Sequence, residues 1–158
     1  KGSRVVAFAG RHPKLTAAWR ARLDRELDAG GVDAGRVVVL PQVDHDDYLR
    51  INLACDAMLD SVRWSGGNTS LDAIACGLPI ATRPGTFMRG RQSAGMLELI
   101  GAADLVAADE DALVANAVRL AEDASWRAEL SARMRDGSKA LFDDVEPVAA
   151  LAAALDGR

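Results

Sequence analysis

Aromatic residues make up only 4% of the 158, as three Phe, three Trp and one Tyr, so an aromatic-rich core is excluded. Cysteine and histidine occur twice each. They lack metal-ligand spacing, so no zinc site and no other metal is expected. Cys55 and Cys76 sit in alanine-rich apolar context and read as buried free thiols. Neither sign of charge dominates: 19 Lys and Arg against 23 Asp and Glu give a formal net charge of −4, with no basic block. That balance argues against a nucleic-acid partner. No apolar run approaches about 18 residues, so no membrane span is expected. No signal peptide is visible either, because Lys1-Gly2-Ser3-Arg4 leads into only a short apolar run. A cytoplasmic location is the expectation. The chain opens without Met and runs straight into a strand-like segment, as a piece of a larger protein would.

What the sequence has in quantity is alanine, 30 of the 158 residues, within an apolar content of 49%. Such a composition favours helix over strand. Charged residues at 27% and a mean hydropathy near zero describe a globular domain, not a disordered tail. Arg4 to Gly10, RVVAFAG, is a short buried-strand signal closed by glycine. Lys14 to Leu27 carries Leu15, Ala18, Trp19, Leu23 and Leu27 at helical spacing, with Pro13 at its start and Gly30-Gly31 at its end. Arg36 to Leu40 is a second strand. Asp44 to Asp47 is an acidic helix start. Ala57 to Leu59 is a third strand, Thr69 to Cys76 a helix stopped by Gly77, and Leu78 to Thr82 a fourth strand. Gln92 to Ile100 is helical, and Asp104 to Val106 is a candidate fifth strand. Glu110 to Leu155 reads as helix, with Trp126, Leu130 and Met134 on one stripe, a break near Phe142 to Pro147 and a last helix from Val148. Trp19 and Trp126 read as core.

Strand then helix, repeated about five times, predicts an α/β fold: an open, mostly parallel sheet with helices on both faces. Ligands of such sheets sit at the carboxyl ends of the strands. The candidate site loops are therefore Arg11 to Pro13, Gln42 to His45, Ser61 to Asn68 and Pro84 to Arg91. The sharpest is Ser65-Gly66-Gly67-Asn68-Thr69-Ser70-Leu71-Asp72. Two glycines permit close backbone approach. Gly67, Asn68, Thr69 and Ser70 stand at a helix N-terminus, where unpaired N–H groups and the dipole favour an anion. The Thr69 and Ser70 hydroxyls add donors, and the Asp72 carboxylate can accept from a vicinal diol such as a ribose. Thr69-x-x-Asp72 equally fits a capping box that needs no ligand. Neither a Walker A loop nor a G-x-G-x-x-G fingerprint is present.

The order and spacing of several blocks add to this. Cys55 to Asp60, Gly66 to Asp72, Ala75-Cys76-Gly77-Leu78-Pro79, Thr82 to Gly85 and Arg89-Gly90-Arg91 resemble the C-terminal domain of a GT-B glycosyltransferase. The family is that of the O-linked N-acetylglucosamine transferases and their bacterial relatives, often fused to tetratricopeptide repeats. The resemblance covers roughly Arg4 to Phe142. It implies a Rossmann-like GT-B C-terminal domain over residues 1–158, the donor-binding half of an enzyme that moves a sugar from a uridine diphosphate donor, UDP-N-acetylglucosamine-like, to a protein acceptor.

It further implies that Gly67, Asn68, Thr69 and Ser70 meet the diphosphate and that Asp72 meets the ribose. Gln42 and Val43 would meet the uracil through backbone groups, with His45 and Tyr48 near the nucleotide. Tyr48 fits a base-stacking role and a core-packing role equally. From their place in the predicted rim loops, not from the resemblance, Arg11, Trp64, Arg89 and Arg91 are candidate cleft residues, with a plain surface-loop role, or for Arg89 and Arg91 a role in pinning the following helix, as the alternative. The animal enzymes carry His-Thr-Thr where this chain has Gly67-Asn68-Thr69, which resembles the bacterial branch. The family's phosphate-proximal lysine and its N-terminal domain lie upstream of the sequence given, so the chain alone is expected to bind nucleotide weakly and turn over nothing. No Asp-x-Asp pair stands at a strand end, so the donor is expected as substrate without a metal cofactor. Two alternatives stay open: a sugar-nucleotide 2-epimerase-like isomerase, whose helix would usually start with Glu-Glu, and a non-catalytic module of the same fold.

Overall fold

A computed structural model describes residues 2–157; Lys1 and Arg158, the ends of the expected 1–158 domain, lie outside the described residues. The chain forms two compact units, Lys1–Tyr48 and Leu49–Arg158. Both are built from parallel strand pairs and helices, so the fold is α/β.

In the first unit, strand β1 (Val5–Phe8) pairs parallel with β2 (Val37–Leu40), Val5 opposite Val37 through Phe8 opposite Leu40. Helix α1 (Pro13–Ala29) connects them, with Pro13 in its first turn. Gly31, at φ +66°, turns the chain out of the helix. Arg20 ties α1 to the second strand by donating to the carbonyls of Val37 (3.0 Å) and Ala34 (3.1 Å). The strand Arg4 to Gly10 is not the buried run expected. Val5 and Val6 are 45% and 39% exposed, and Trp19 is half-buried, not core. One strand pair and one helix enclose too little volume: among the described residues of this unit only Val37 is buried.

Helix α2 (His45–Ala54) starts where its acidic cluster predicts. Asp44 Oδ1 accepts from the Asp47 N–H at 2.9 Å and caps it.

The second unit holds the larger core. Strand β3 (Met58–Leu59) pairs parallel with β4 (Ile80–Ala81) through helix α3 (Asn68–Ala75). Helices α4 (Gln92–Leu99), α5 (Glu110–Glu122), α6 (Ala124–Gly137) and α7 (Glu146–Asp156) follow. Ile74, Ile80, Leu97, Leu105, Leu120, Leu130 and Met134 are fully buried in one cluster. Cys55 and Cys76 pack against it but are only half-buried, as free thiols. Trp126 is also half-buried: Arg119 stacks over its ring at 4.1 Å.

The candidate fifth strand does not form as a run. Ala103–Leu105 is a 3-10 turn, whose Leu105 and Val106 N–H groups donate locally to Ala102 and Ala103. Only Val106 bridges in parallel to Thr82. The long helix expected over Glu110 to Leu155 breaks earlier than the sequence suggests, at Asp123, and the last helix starts at Glu146. Asp123 Oδ1 accepts from the Trp126 N–H (2.9 Å) and the Ser125 hydroxyl (2.6 Å), which starts a new helix there. Helix α7 has no buried residue, and Val148, Leu151 and Leu155 are 67%, 61% and 55% exposed.

The Ser125 hydroxyl, then the Trp126 N–H, hold the Asp123 carboxyl below its ordinary value. A depressed carboxyl contributes stability above its unfolded pKa and loses it as pH falls through the folded one. Asp123→Ala is therefore expected to lower the melting temperature at pH 7. The difference from the parent chain should close below the ordinary carboxylate range; paired thermal melts at pH 7 and pH 2.5 check this.

Candidate functional site

The site is built on the carboxyl end of β3. Asp60 leaves that strand, and both its oxygens are used by the loop that follows. Oδ1 accepts from the N–H groups of Ser61 (2.8 Å) and Gly66 (2.9 Å). Oδ2 accepts from the hydroxyls of Ser65 (2.8 Å) and Thr82 (2.7 Å). The loop is thereby wound around one carboxylate and delivered to the start of α3.

A second loop supports the first. The Ser65 N–H donates to the Arg89 carbonyl at 2.8 Å, and the Gly85 N–H to the Gly90 carbonyl at 2.7 Å. A Cβ on Gly85 or Gly90 would stand 2.8 or 2.9 Å from the Val62 carbonyl, so the two loops mate through bare backbone.

Helix α3 begins at Asn68, with Gly67 in the N-cap position and no side-chain cap. The capping box Thr69-x-x-Asp72 does not form, because both residues already lie inside the helix. Ser70 and Leu71 donate their N–H groups to the Gly67 carbonyl at 3.0 and 3.1 Å. The N–H groups of Gly67, Asn68 and Thr69 have no acceptor among the described residues. Asn68 and Thr69 are exposed, and no acidic residue occupies the first turn. An uncapped helix start with open N–H groups suits an anion, through both the donors and the dipole.

Ser70 departs from expectation. It is fully buried, and its hydroxyl lies 2.7 Å from that of Ser93. It is spent on internal structure, not offered to a ligand. Asp72 is half-buried one turn further along α3. Its charge and, more strongly, burial raise the Cys76 thiol above its ordinary pKa, so that sulfur stays protonated at neutral pH.

Among the rim residues, Trp64 is 70% exposed. Arg89 is exposed with its guanidinium 4.6 Å from the Phe87 ring centroid, and Arg91 is exposed at the start of α4. In the first unit, Arg11 and Gln42 are exposed and Val43 is half-buried. His45 opens α2 on the surface. The half-buried Tyr48 ring packs against Phe8, centroids 5.4 Å apart and planes tilted by 59°.

Sequence reasoning missed Asp60, Ser65, Thr82 and Ser93. Asp60 stood inside a resembling block without a role. The signal was an aspartate at a strand end followed at short range by serines in an apolar setting, where buried hydroxyls must find partners. Among the described residues no cluster of three or more His, Cys, Asp or Glu is placed to hold a metal ion, and no helix is long and apolar enough to cross a membrane.

The sequence model of glycosyl transferase family 41 matches residues 9–147. The chain belongs to that family. This family 41 chain is 30% identical over 115 residues to the UDP-N-acetylglucosamine–peptide N-acetylglucosaminyltransferase of Caenorhabditis elegans, covering 72% of itself and 10% of that protein. It is 28% identical over 118 residues to SPINDLY of Arabidopsis thaliana, a probable enzyme of the same name, covering 74% of itself and 13% of that protein. Among solved structures, a mutant O-GlcNAc transferase from Thermobaculum terrenum matches with a TM-score of 0.77 at 28% identity, over 89% of this chain and 27% of that one. The family 41 chain thus spans about a tenth of the curated relatives it matches and about a quarter of that structure. The architecture is that of an O-GlcNAc transferase-like domain.

Proposed function

We propose that residues 1–158 are the donor-binding part of a glycosyltransferase that moves a sugar, N-acetylglucosamine by the relatives' names, from its uridine diphosphate carrier to a protein. The observation that carries this reading is the uncapped start of α3, with the Gly67, Asn68 and Thr69 N–H groups open and no acid in the first turn. When the anomeric carbon–oxygen bond breaks, the electron pair stays on the β-phosphate oxygen. Preorganised N–H donors and a helix dipole stabilise that growing charge. No metal is needed for this. Asp72 is assigned to the ribose hydroxyls. Separately, Gln42 and Val43 are assigned to the uracil. Arg11, His45, Tyr48, Trp64, Arg89 and Arg91 stay as secondary candidates, and the acceptor protein is assigned to regions outside this chain.

Titration of the chain with uridine diphosphate, followed by amide chemical shifts, tests this. Shifts are expected at Asn68, Thr69, Asp72 and Val43. Asp72→Ala should weaken binding about tenfold, the scale of a lost charged hydrogen bond. Guanosine diphosphate should bind less well. At 100 times its dissociation constant the ligand adds about 2.7 kcal/mol of stability, so the melting temperature must rise as well. Absence of shifts at α3 with saturating ligand overturns the reading.

A further inference from the structure

Four hydroxyls and one carboxylate link α3 to the rest of its unit. Ser65, Ser70, Thr82 and Ser93 are each at most 2% exposed. The Ser65 hydroxyl lies 2.8 Å from Asp60 Oδ2 and 2.7 Å from the Ser93 hydroxyl, which is 2.7 Å from that of Ser70. The Ser93 N–H also donates to Ser65 Oγ at 2.9 Å.

Proton counting fixes the direction of this chain. A carboxylate only accepts, so the single Ser65 proton goes to Asp60. The contact between Ser65 and Ser93 then needs the Ser93 proton, and the contact between Ser93 and Ser70 needs the Ser70 proton. The order is Ser70 to Ser93 to Ser65 to Asp60, each hydroxyl donating toward the charge. Ser65 then has one donor and two acceptor positions, all used. Such a chain polarises along its length and resists rearrangement.

Its two ends matter for the ligand. Ser70 is the third residue of α3, and Gly66, whose N–H donates to Asp60, precedes the N-cap. The first turn of α3 is held from both sides by one carboxylate.

We propose that Asp60 and Ser93 are positioning residues for the diphosphate. They touch no ligand. They hold the first turn of α3 in the orientation that leaves the Gly67, Asn68 and Thr69 N–H groups open. The inference rests on the donor-binding reading above and adds the residues on which it depends.

The test compares uridine diphosphate with uridine, which lacks the phosphates, in the full chain by amide chemical shifts. Ser93→Ala removes the central link without changing charge. Ser93→Cys keeps the volume and a weak donor, and serves if the alanine variant does not fold. Ser131→Ala is the control: its hydroxyl donates to the Gly77 carbonyl (2.6 Å), beyond the other end of α3. Ser93→Ala is expected to lose about tenfold in uridine diphosphate affinity with uridine unchanged, and Ser93→Cys somewhat less. Ser131→Ala should lower the melting temperature and leave both affinities alone. Unchanged diphosphate affinity in both Ser93 variants overturns the proposal. So does an equal loss for both ligands, since a merely structural role would move them together. A parent chain that fails to bind uridine diphosphate overturns the donor-binding reading and this inference with it.

Discussion

Gly66→Ala is expected to abolish measurable uridine diphosphate binding while leaving a folded but less stable chain. The added Cβ would lie 2.3 Å from Ser70 Oγ, 2.7 Å from Thr69 Oγ1 and 3.3 Å from the Ser70 nitrogen. Thr69 is exposed and its hydroxyl can rotate away. Ser70 is constrained, because it is fully buried and its hydroxyl is held by Ser93. Relief must come from α3 shifting or from the hydroxyl chain breaking, and either moves the open N–H groups. Overpacking of this kind costs about 1–3 kcal/mol. A urea titration should show that loss, and chemical-shift titration should show the missing binding. Wild-type affinity in Gly66→Ala would mean that the α3 turn is not the diphosphate site.

Leu130→Ala should cost the most stability of any single truncation considered, about 2–5 kcal/mol. Leu130 is fully buried, facing the cluster of Ile74, Ile80, Leu97 and Leu120. Its loss removes transfer free energy and leaves a cavity that neighbours in fixed helices only partly fill. Leu151→Ala on α7 is the comparison: that side chain is 61% exposed, and its removal should cost less than about 0.5 kcal/mol. Equal costs for the two in urea unfolding would show that α7 is covered in solution.

Much of the fold was legible because its punctuation is local. Pro13, Gly30-Gly31, Asp44 and Gly77 mark helix ends by their own backbone or side-chain chemistry, and the structure uses each that way. The strand runs were legible as apolar segments but not in extent. Leu78 to Thr82 supplies only Ile80–Ala81 to a two-stranded ladder, because ladder length depends on the partner strand, which no local pattern encodes. The break at Asp123 was hidden for a related reason: apolar residues keep helical spacing on both sides of it, Leu113, Ala117 and Leu120 before and Trp126, Leu130 and Met134 after.

The candidate site divides along the same line. The glycines and the polar helix start at Asn68 were readable, since close approach and open N–H groups are properties of those residues themselves. The buried duty of Ser70 was not. It depends on Ser93, 23 residues away, and on Asp60 at another strand end. A hydroxyl's orientation is decided by whichever partner the folded chain brings to it.

One residue, Asp123, ends α5 and starts α6, with nothing between the two helices. There is no slack at that corner. One residue inserted there would turn α6 by about 100° about its axis and carry Leu130 and Met134 out of the core. Between Ala140 and Glu146, by contrast, five residues of irregular chain, including Asp143 at φ +60°, join two elements with no shared cap. Leu141 and Phe142 still pack against the core, so length variation among homologous chains has a natural point of entry at residues 143–145 and none at 123.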